Sequence, residues 1–554
     1  MNIILPMRVW FAELLRRRPS VGIAALAALL LLSASLGHEG LRVPQMLLLA
    51  LPGLIWLRWP VRSPPWRRLR LFGVAMLLGI FLLDGFLRAY LRQRYAAVPD
   101  STLVLTAAAN TSPREALEYL MAQGAQWWPG LLALLLALGL LLGLVRVASQ
   151  QPPRPLGTGS RWLWLGLLLL CCVAHASKPW RRHHPVAFWP HWAVSVETLR
   201  MNWSDQSRQR ELLLEQARAS GVRALGAESS TVVLVLTDSV NRDNMSLYGY
   251  QRETTLQLQA LSREEGARLL VLPHAWSVQA TTVAALDGLF SFGGSMAAQP
   301  GSAAPAPGHI LALARAAGYR VWWMSNHDDL AIEQQHAQLA DTVEMINREP
   351  GRSSSMLDGE LLDSLEEALA DRAAPRKLIV LHLLGAHPHY RLRAPEALRP
   401  FEQGGDAVER EMQGQQRPVW LREQRQDYDA VIHYHDGVVA ETLRKLKRHV
   451  PAGGEAAWMY LSDHGQEVGH SIDHAGHSPG TEAGYRIPAM LWRTPQAFAP
   501  GSGQQPFRAD WTGWTLAELL RIEWPGMEPA RNVLDPRYRW EAPQLPIGEV
   551  DFAR

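Results

Sequence analysis

The stretch Val233–Thr255, VLVLTDSVNRDNMSLYGYQRETT, begins as a buried strand and stops on an acidic residue. A run of Val and Leu ends at Thr237-Asp238-Ser239, and a polar, glycine-punctuated segment follows. Apolar residues on both sides of a strand require cover on both faces, which is the habit of parallel α/β sheets. In such sheets the ligand site lies beyond the carboxyl ends of the strands. Asp238 therefore reads as a side chain delivered to a polar site by a central strand.

The downstream sequence repeats the pattern. YRVWWMS (319–325), KLIVLHLLG (377–385), AAWMYLSDHG (456–465) and RIPAMLW (486–492) read as further strands. Between them, HILALARAAG, MLDGELLDSLEEALAD and DYDAVIHYHDGVVAETLRKLKRHV carry helical periodicity. This alternation predicts an α/β domain with a mainly parallel sheet covered by helices. GGSMAAQPGSAAPAPGH and the charged stretch near Glu402–Gln416 read as loops. The strand ends collect Asp238, Asn326, His327, the histidines from His382 to His387, and Asp463-His464. Carboxylates with imidazoles suit Zn²⁺, with Mn²⁺ the alternative.

The first third differs in kind. The chain has 554 residues and a formal net charge of +3, but residues 1–180 carry +12 and the remainder −9. The basic part is also the apolar part, which fits a membrane and argues against nucleic acid. Five apolar segments, Val21–Leu36, Pro44–Leu57, Leu71–Leu87, Trp128–Val147 and Trp162–Ala176, predict a five-helix transmembrane domain over 1–180. Further spans follow the first, which argues against a cleaved signal peptide. Arg16-Arg17-Arg18, the RWPVRSPPWRRLR loop and Arg146, Arg154 and Arg161 fall on one side of such a bundle. The positive-inside rule makes that side cytoplasmic. Arg88, Arg92 and Arg94 run against the rule. Residues 181–228, rich in Trp, His and Arg, read as an interfacial connector, and 229–554 as an outer-face catalytic domain. The two cysteines, Cys171 and Cys172, are adjacent within an apolar run, which leaves no disulfide framework and no Cys-based metal site.

Four blocks together carry a resemblance. TDSVNRDNMSLYGYQRETT, ATTVAALDGLFSF, HLLGAHPHY and YLSDHGQEVG resemble, in order, motifs of the membrane-bound phosphoethanolamine transferases of the alkaline phosphatase/sulfatase superfamily. The resemblance implies an alkaline-phosphatase-like catalytic domain in the periplasm, anchored in a bacterial inner membrane. It implies transfer of phosphoethanolamine from phosphatidylethanolamine to an envelope glycan or lipopolysaccharide acceptor through a phosphothreonine-type intermediate, with one or two zinc ions. Residue by residue, Asp238 takes the position of the family's metal-binding glutamate, and Thr282 that of the nucleophile, with Thr281 the adjacent alternative. Asp463 and His464 complete the first metal site. His387 matches a histidine at the headgroup or a second metal, and His477 the last family histidine, with His474 as the close alternative. Glu115 and Thr111, in the LTAAANTSPREALEYL loop, match the lipid-headgroup loop; a short amphipathic helix with exposed charge accounts for that loop equally well. Asn326 and His327 are candidate substrate contacts.

Two departures stand out. Asp238 replaces a longer carboxylate, so the cation or the backbone must shift to keep a bond of about 2.0–2.2 Å. The cysteines flanking the nucleophile in the lipid A–modifying branch are missing, which puts lipid A as acceptor in question. A hydrolase of the same fold is the competing reading, but the Cys/Ser-x-Pro-x-Arg motif of sulfatases does not follow the first strand. A phosphoglycerol transferase would share the threonine and the spans. An inert membrane scaffold would bind no metal.

Overall fold

The computed structural model describes residues 19–58, 61, 63–95, 97–122, 124–149, 158–204, 206–292, 308–327, 329–346, 356–450 and 454–553. The chain forms two compact units: residues 1–108 with 123–198, and residues 109–122 with 199–554. Residues 109–122, which include Glu115, thus cluster with the second unit rather than with the helices that flank them in sequence.

In the first unit, α1 (Pro19–Gly37), α2 (Arg42–Arg58), α3 (Pro64–Tyr95), α4 (Gly124–Ser149) and α5 (Thr158–Ala176) coincide with the five apolar segments. By length and composition, two of them are suited to cross a membrane: α3, and α4 over Trp128–Ser149. Val21–Gly37, Arg42–Leu57 and Leu165–Ala176 are apolar but shorter, at 10–17 residues. Leu26, Leu49, Val74, Leu78 and Val145 form the core. Helices α1 and α3 approach so closely that a Cβ on Gly37 would stand 2.5 Å from the Gly85 carbonyl oxygen. Small residues are what permit such a crossing. Arg67, Arg68 and Arg70, expected in a loop, lie on α3. Arg88, which ran against the positive-inside rule, is buried and pairs with Asp84 at 2.9 Å. Asp84 also meets His38 at 3.0 Å and the Trp189 indole N–H at 3.0 Å. Arg88 therefore answers an internal carboxylate, because a buried charge is tolerated only when paired.

The second unit is built on a seven-stranded sheet. Its strands are β1 (Ser230–Thr237), β2 (Leu269–Val271), β3 (Arg320–Ser325), β4 (Thr342–Met345), β5 (Arg376–Leu383), β6 (Glu455–Ser462) and β7 (Ala489–Thr494). Their order across the sheet is β2-β7-β6-β1-β5-β3-β4. The pairings from β6 to β4 are parallel, and β7 runs antiparallel to both neighbours. The RIPAMLW run divides at Pro488. Arg486–Ile487 joins a small second sheet, and only the part after the proline enters the main one.

Strand β1 sits at the centre. Val232, Leu234 and Leu236 face α7 (Thr282–Phe290), α8 (Ile310–Ala316) and α11 (Thr512–Leu519). Val233 and Val235 face α6 (Leu256–Glu265), α9 (Leu361–Ala370) and α10 (Val419–His449). Burying each such side chain stabilises the fold by about 1.5–3 kcal/mol. Helix α10 begins eight residues before the DYDAV run, after Pro418. The stretch near Glu402–Gln416, expected as a loop, contains the helix Ala407–Gly414; Asp406 caps it by accepting from the Glu409 N–H at 2.8 Å. Its D-x-x-E start was a legible signal. The GGSMAAQPGSAAPAPGH loop lies outside the described residues, apart from Gly308 and His309 at its C-terminal end.

Candidate active site

Register brings the site together. Thr237, the last residue of β1, pairs with Leu383 of β5 and Ser462 of β6. The residues that follow these three strand ends therefore emerge side by side. The Asp463 N–H donates to the Thr237 carbonyl at 3.0 Å, and the Ala386 N–H to the Asp238 carbonyl at 2.8 Å. Ser239 turns the chain away with φ +63°, a left-handed conformation uncommon outside glycine. Its hydroxyl donates to Asp238 Oδ1.

Helix α7 brings in Thr282 as its first residue, after the extended Thr281. The Thr282 hydroxyl donates to Asp238 Oδ2 at 2.8 Å and lies 3.3 Å from His464 Nε2. His464 Nδ1 is 2.8 Å from the Gly465 carbonyl. A carbonyl only accepts, so Nδ1 carries a proton, and Nε2 is the nitrogen turned to the centre. Asp463 Oδ1 accepts from the Ser239 and His464 N–H groups at 3.1 and 2.6 Å. Asp463 Oδ2 is buried and has no hydrogen-bond partner among the described residues. Among the described residues, Asp238, His464 and His477 present ligand atoms all within 4.8 Å of one another.

Burial opposes the charge of Asp238, but the surrounding imidazoles of His387, His464, His327 and His477 hold it well below the usual carboxylate range. Burial and the charge of Asp238 push Asp463 up. Two buried carboxylates at one centre, one with an orphaned oxygen, beside the imidazoles of His464 and His477, fit a divalent cation. Asp238, Asp463, His464, His477 and the Thr282 hydroxyl are the donors gathered there.

The other predicted residues fall around this centre. His474 stands one step back, its Nε2 3.0 Å from the His477 carbonyl oxygen. His387 Nε2 lies 3.4 Å from Glu115 Oε1. Glu115 also closes a reciprocal cap on the Pro113–Ala122 helix. The Ser112 N–H donates to Glu115 Oε2 at 3.3 Å, and the Glu115 N–H to Ser112 Oγ at 3.2 Å. Helix capping and an approach to the site thus coexist in one side chain. Thr111 is half-buried in the link before that helix. His327 lies 4.0 Å from Asp238 Oδ2 and 3.3 Å from Asp329. Burial lowers its pKa, but these two carboxylates raise it overall to about 9. Asn326 is 1% exposed, and its amide donates to Asp358 at 2.7 Å and to the Met356 carbonyl at 3.1 Å. Its amide nitrogen is thus engaged by the protein rather than offered to a substrate. His382, already noted near the end of its strand, stacks its ring on His327 at 4.0 Å. Residues the sequence did not single out include Ser239, Asp329 and Asp358. Arg393, which pairs with Glu118 at 2.7 Å, is another. Their local sequence context carries no marker that separates them from ordinary polar residues.

A strand-end cluster of this kind, on a sheet of this topology, defines the class. Residues 230–506 match the sulfatase family, and the chain belongs to it. Within that family the resemblance to phosphoethanolamine transferases is borne out. The chain is 29% identical over 331 residues to phosphoethanolamine transferase EptC of Escherichia coli (strain K12), covering 57% of this chain and 55% of EptC. It thus spans about half the length of the curated relatives it matches. The crystal structure of the C-terminal periplasmic domain of Escherichia coli EptC, in complex with Zn, matches with a TM-score of 0.52 at 27% identity, over 58% of this chain and 91% of that one. The integral membrane protein lipooligosaccharide phosphoethanolamine transferase A (EptA) from Neisseria meningitidis shares the fold at a TM-score of 0.57 and 18% identity, over 92% of this chain and 98% of that one.

Proposed function

We propose that the chain is a membrane-bound, metal-dependent transferase that moves phosphoethanolamine from phosphatidylethanolamine to an envelope glycan or lipopolysaccharide acceptor. One observation carries the reading: a threonine hydroxyl at a helix start, 2.8 Å from Asp238 and 3.3 Å from His464. Asp238, Thr282, Asp463 and His464 would hold one zinc ion, with manganese the alternative and His477 in reach of a second ion. When bound, the cation lowers the hydroxyl pKa of Thr282 and offsets phosphoryl charge.

Thr282 Oγ1 attacks the phosphorus of the donor, and the bond from phosphorus to the diacylglycerol oxygen breaks. Thr282 loses its proton, and the departing diacylglycerol gains one. The N–H groups at the start of α7 face the phosphoryl oxygens. His387 serves as acid and base. Burial lowers its pKa, so the neutral ring is available to take the proton of the acceptor hydroxyl in the second half-reaction. Glu115 meets the ammonium of ethanolamine. In this reading the chemistry takes place on the periplasmic face of the inner membrane.

The test is release of diacylglycerol from fluorescent phosphatidylethanolamine by the full chain in detergent, with intact-mass detection of a phosphoethanolamine adduct. Thr282→Ala should abolish both. Wild-type turnover by that variant would overturn covalent catalysis at Thr282. Turnover of phosphatidylglycerol in place of phosphatidylethanolamine would make the chain a phosphoglycerol transferase.

A further inference from the structure

Asp358 has no part in the chemistry above, yet both oxygens of its carboxylate accept hydrogen bonds. It is 3% exposed. Its Oδ1 accepts from Asn326 Nδ2 at 2.7 Å and from the Leu384 N–H at 2.9 Å. Its Oδ2 accepts from the Gly385 N–H at 2.9 Å and lies 3.0 Å from His435 Nε2. Three segments meet there: the end of β3, the turn after β5, and α10.

The same turn is held from its other side. Gly385 has φ +59°, and a Cβ there would stand 2.4 Å from the Asp238 carbonyl oxygen. The next residue, Ala386, donates its N–H to that carbonyl. The turn is therefore clamped between the carboxylate of Asp358 and the backbone of Asp238, and it leads directly into His387. Burying a carboxylate is costly, and well-packed apolar side chains often give equal or greater stability. A carboxylate that accepts on both oxygens does something they cannot: it fixes one geometry for the N–H groups that converge on it.

We infer that Asp358, with His435 behind it, is a positioning residue that sets the place of Asp238 and His387 through the Leu384–Ala386 turn. The inference rests on the assignment of those two residues to the site. Asp358→Asn turns one acceptor oxygen into a donor that faces donors. In the Asp358→Asn/His435→Gln pair the buried charge is gone and the two amides can bond to each other, but the turn still lacks one acceptor.

The experiment titrates zinc into the chelator-treated full chain in detergent against a chromophoric competitor. Turnover of phosphatidylethanolamine and the thermal midpoint are measured beside it. Both variants should bind zinc on the order of tenfold more weakly, as when an outer partner of a metal ligand is removed. Both should lose kcat to a similar degree with KM unchanged. The midpoint should fall in the single variant and return toward wild type in the double one. His433→Gln, half-buried and two residues away on α10, should change none of these. A double variant with wild-type zinc affinity and kcat would overturn the inference and leave Asp358 a stabilising role only. So would unchanged zinc affinity in the single variant. If the wild-type chain binds zinc but does not turn over the lipid, the functional reading fails while the zinc titration still decides the positioning role.

Discussion

Asp463→Asn should move two measurements in opposite directions. Asp463 Oδ2 is buried without a hydrogen-bond partner among the described residues, 3.6 Å from His464 Nε2. The Asp463→Asn amide keeps one oxygen for the two N–H groups that Oδ1 now serves and turns an N–H toward that imidazole nitrogen. An unsatisfied buried polar group costs about 1–3 kcal/mol, and more when charged. The metal-free variant should therefore be more stable than wild type by about that amount. With zinc the sign reverses, because a charged ligand has been lost. Loss of an outer-shell partner alone costs about 10–100-fold in affinity, so loss of a direct ligand should reach ~100-fold or more, about 2.7 kcal/mol. The assay is chemical denaturation of the chelator-treated protein beside a competitive zinc titration. Unchanged zinc affinity would remove Asp463 from the donor set. A metal-free variant less stable than wild type would show that the carboxylate braces the fold, and the argument from its orphaned oxygen would fail.

Thr282→Ser should keep part of the transfer activity, because the oxygen survives, and Thr281→Ala should be much milder than Thr282→Ala in the same lipid assay; the reverse order would move the nucleophile by one residue. A reporter fused after residue 230 should be active only outside the cytoplasm, and cytoplasmic activity would overturn the topology. Residues 210–554 should fold alone, since their sheet and its covering helices make a separate core; a molten fragment by near-ultraviolet circular dichroism would refute this. Asp436 accepts from the Gln257 and Leu258 N–H groups at 2.6 and 2.8 Å, yet burial pushes its pKa up to about 6. Between about pH 4 and pH 6 the unfolded chain has released this proton and the folded one still holds it, so stability falls as pH rises through that window, by up to about 3 kcal/mol. Asp436→Asn should remove this part of the pH profile, and an unchanged profile would count against it.

Much of this protein could be read in one dimension because the readings rest on short-range rules. Continuous Val and Leu in β1 specify a strand buried on both faces, and a carboxylate directly after it specifies a strand-end site. The blocks around Asp238, Thr282, His387 and Asp463-His464 were legible for the same reason: each sits at a fixed offset from the end of a strand or the start of a helix. The apolar helices followed from composition, although their lengths did not, since Arg67, Arg68 and Arg70 continue α3 beyond its apolar run.

Other features depended on contacts between residues far apart in the chain. His474 and His477 are equivalent by spacing; the fold turns His477 to the cluster and leaves His474 beside the His477 carbonyl oxygen. RIPAMLW reads as one strand, but the partners available on either side of Pro488 divide it between two sheets. By sequence Glu115 reads equally well as a headgroup contact or an exposed helix charge; the packing of residues 109–122 with the second unit brings it to His387. Asp358 and His435 are 77 positions apart, and nothing near either one marks it as a partner of the other. Only the register of β3, β5 and α10 brings them together. A strand or a cap is decided by neighbours in sequence, whereas a cation site or a clamp is decided by which chain ends the sheet brings to one edge.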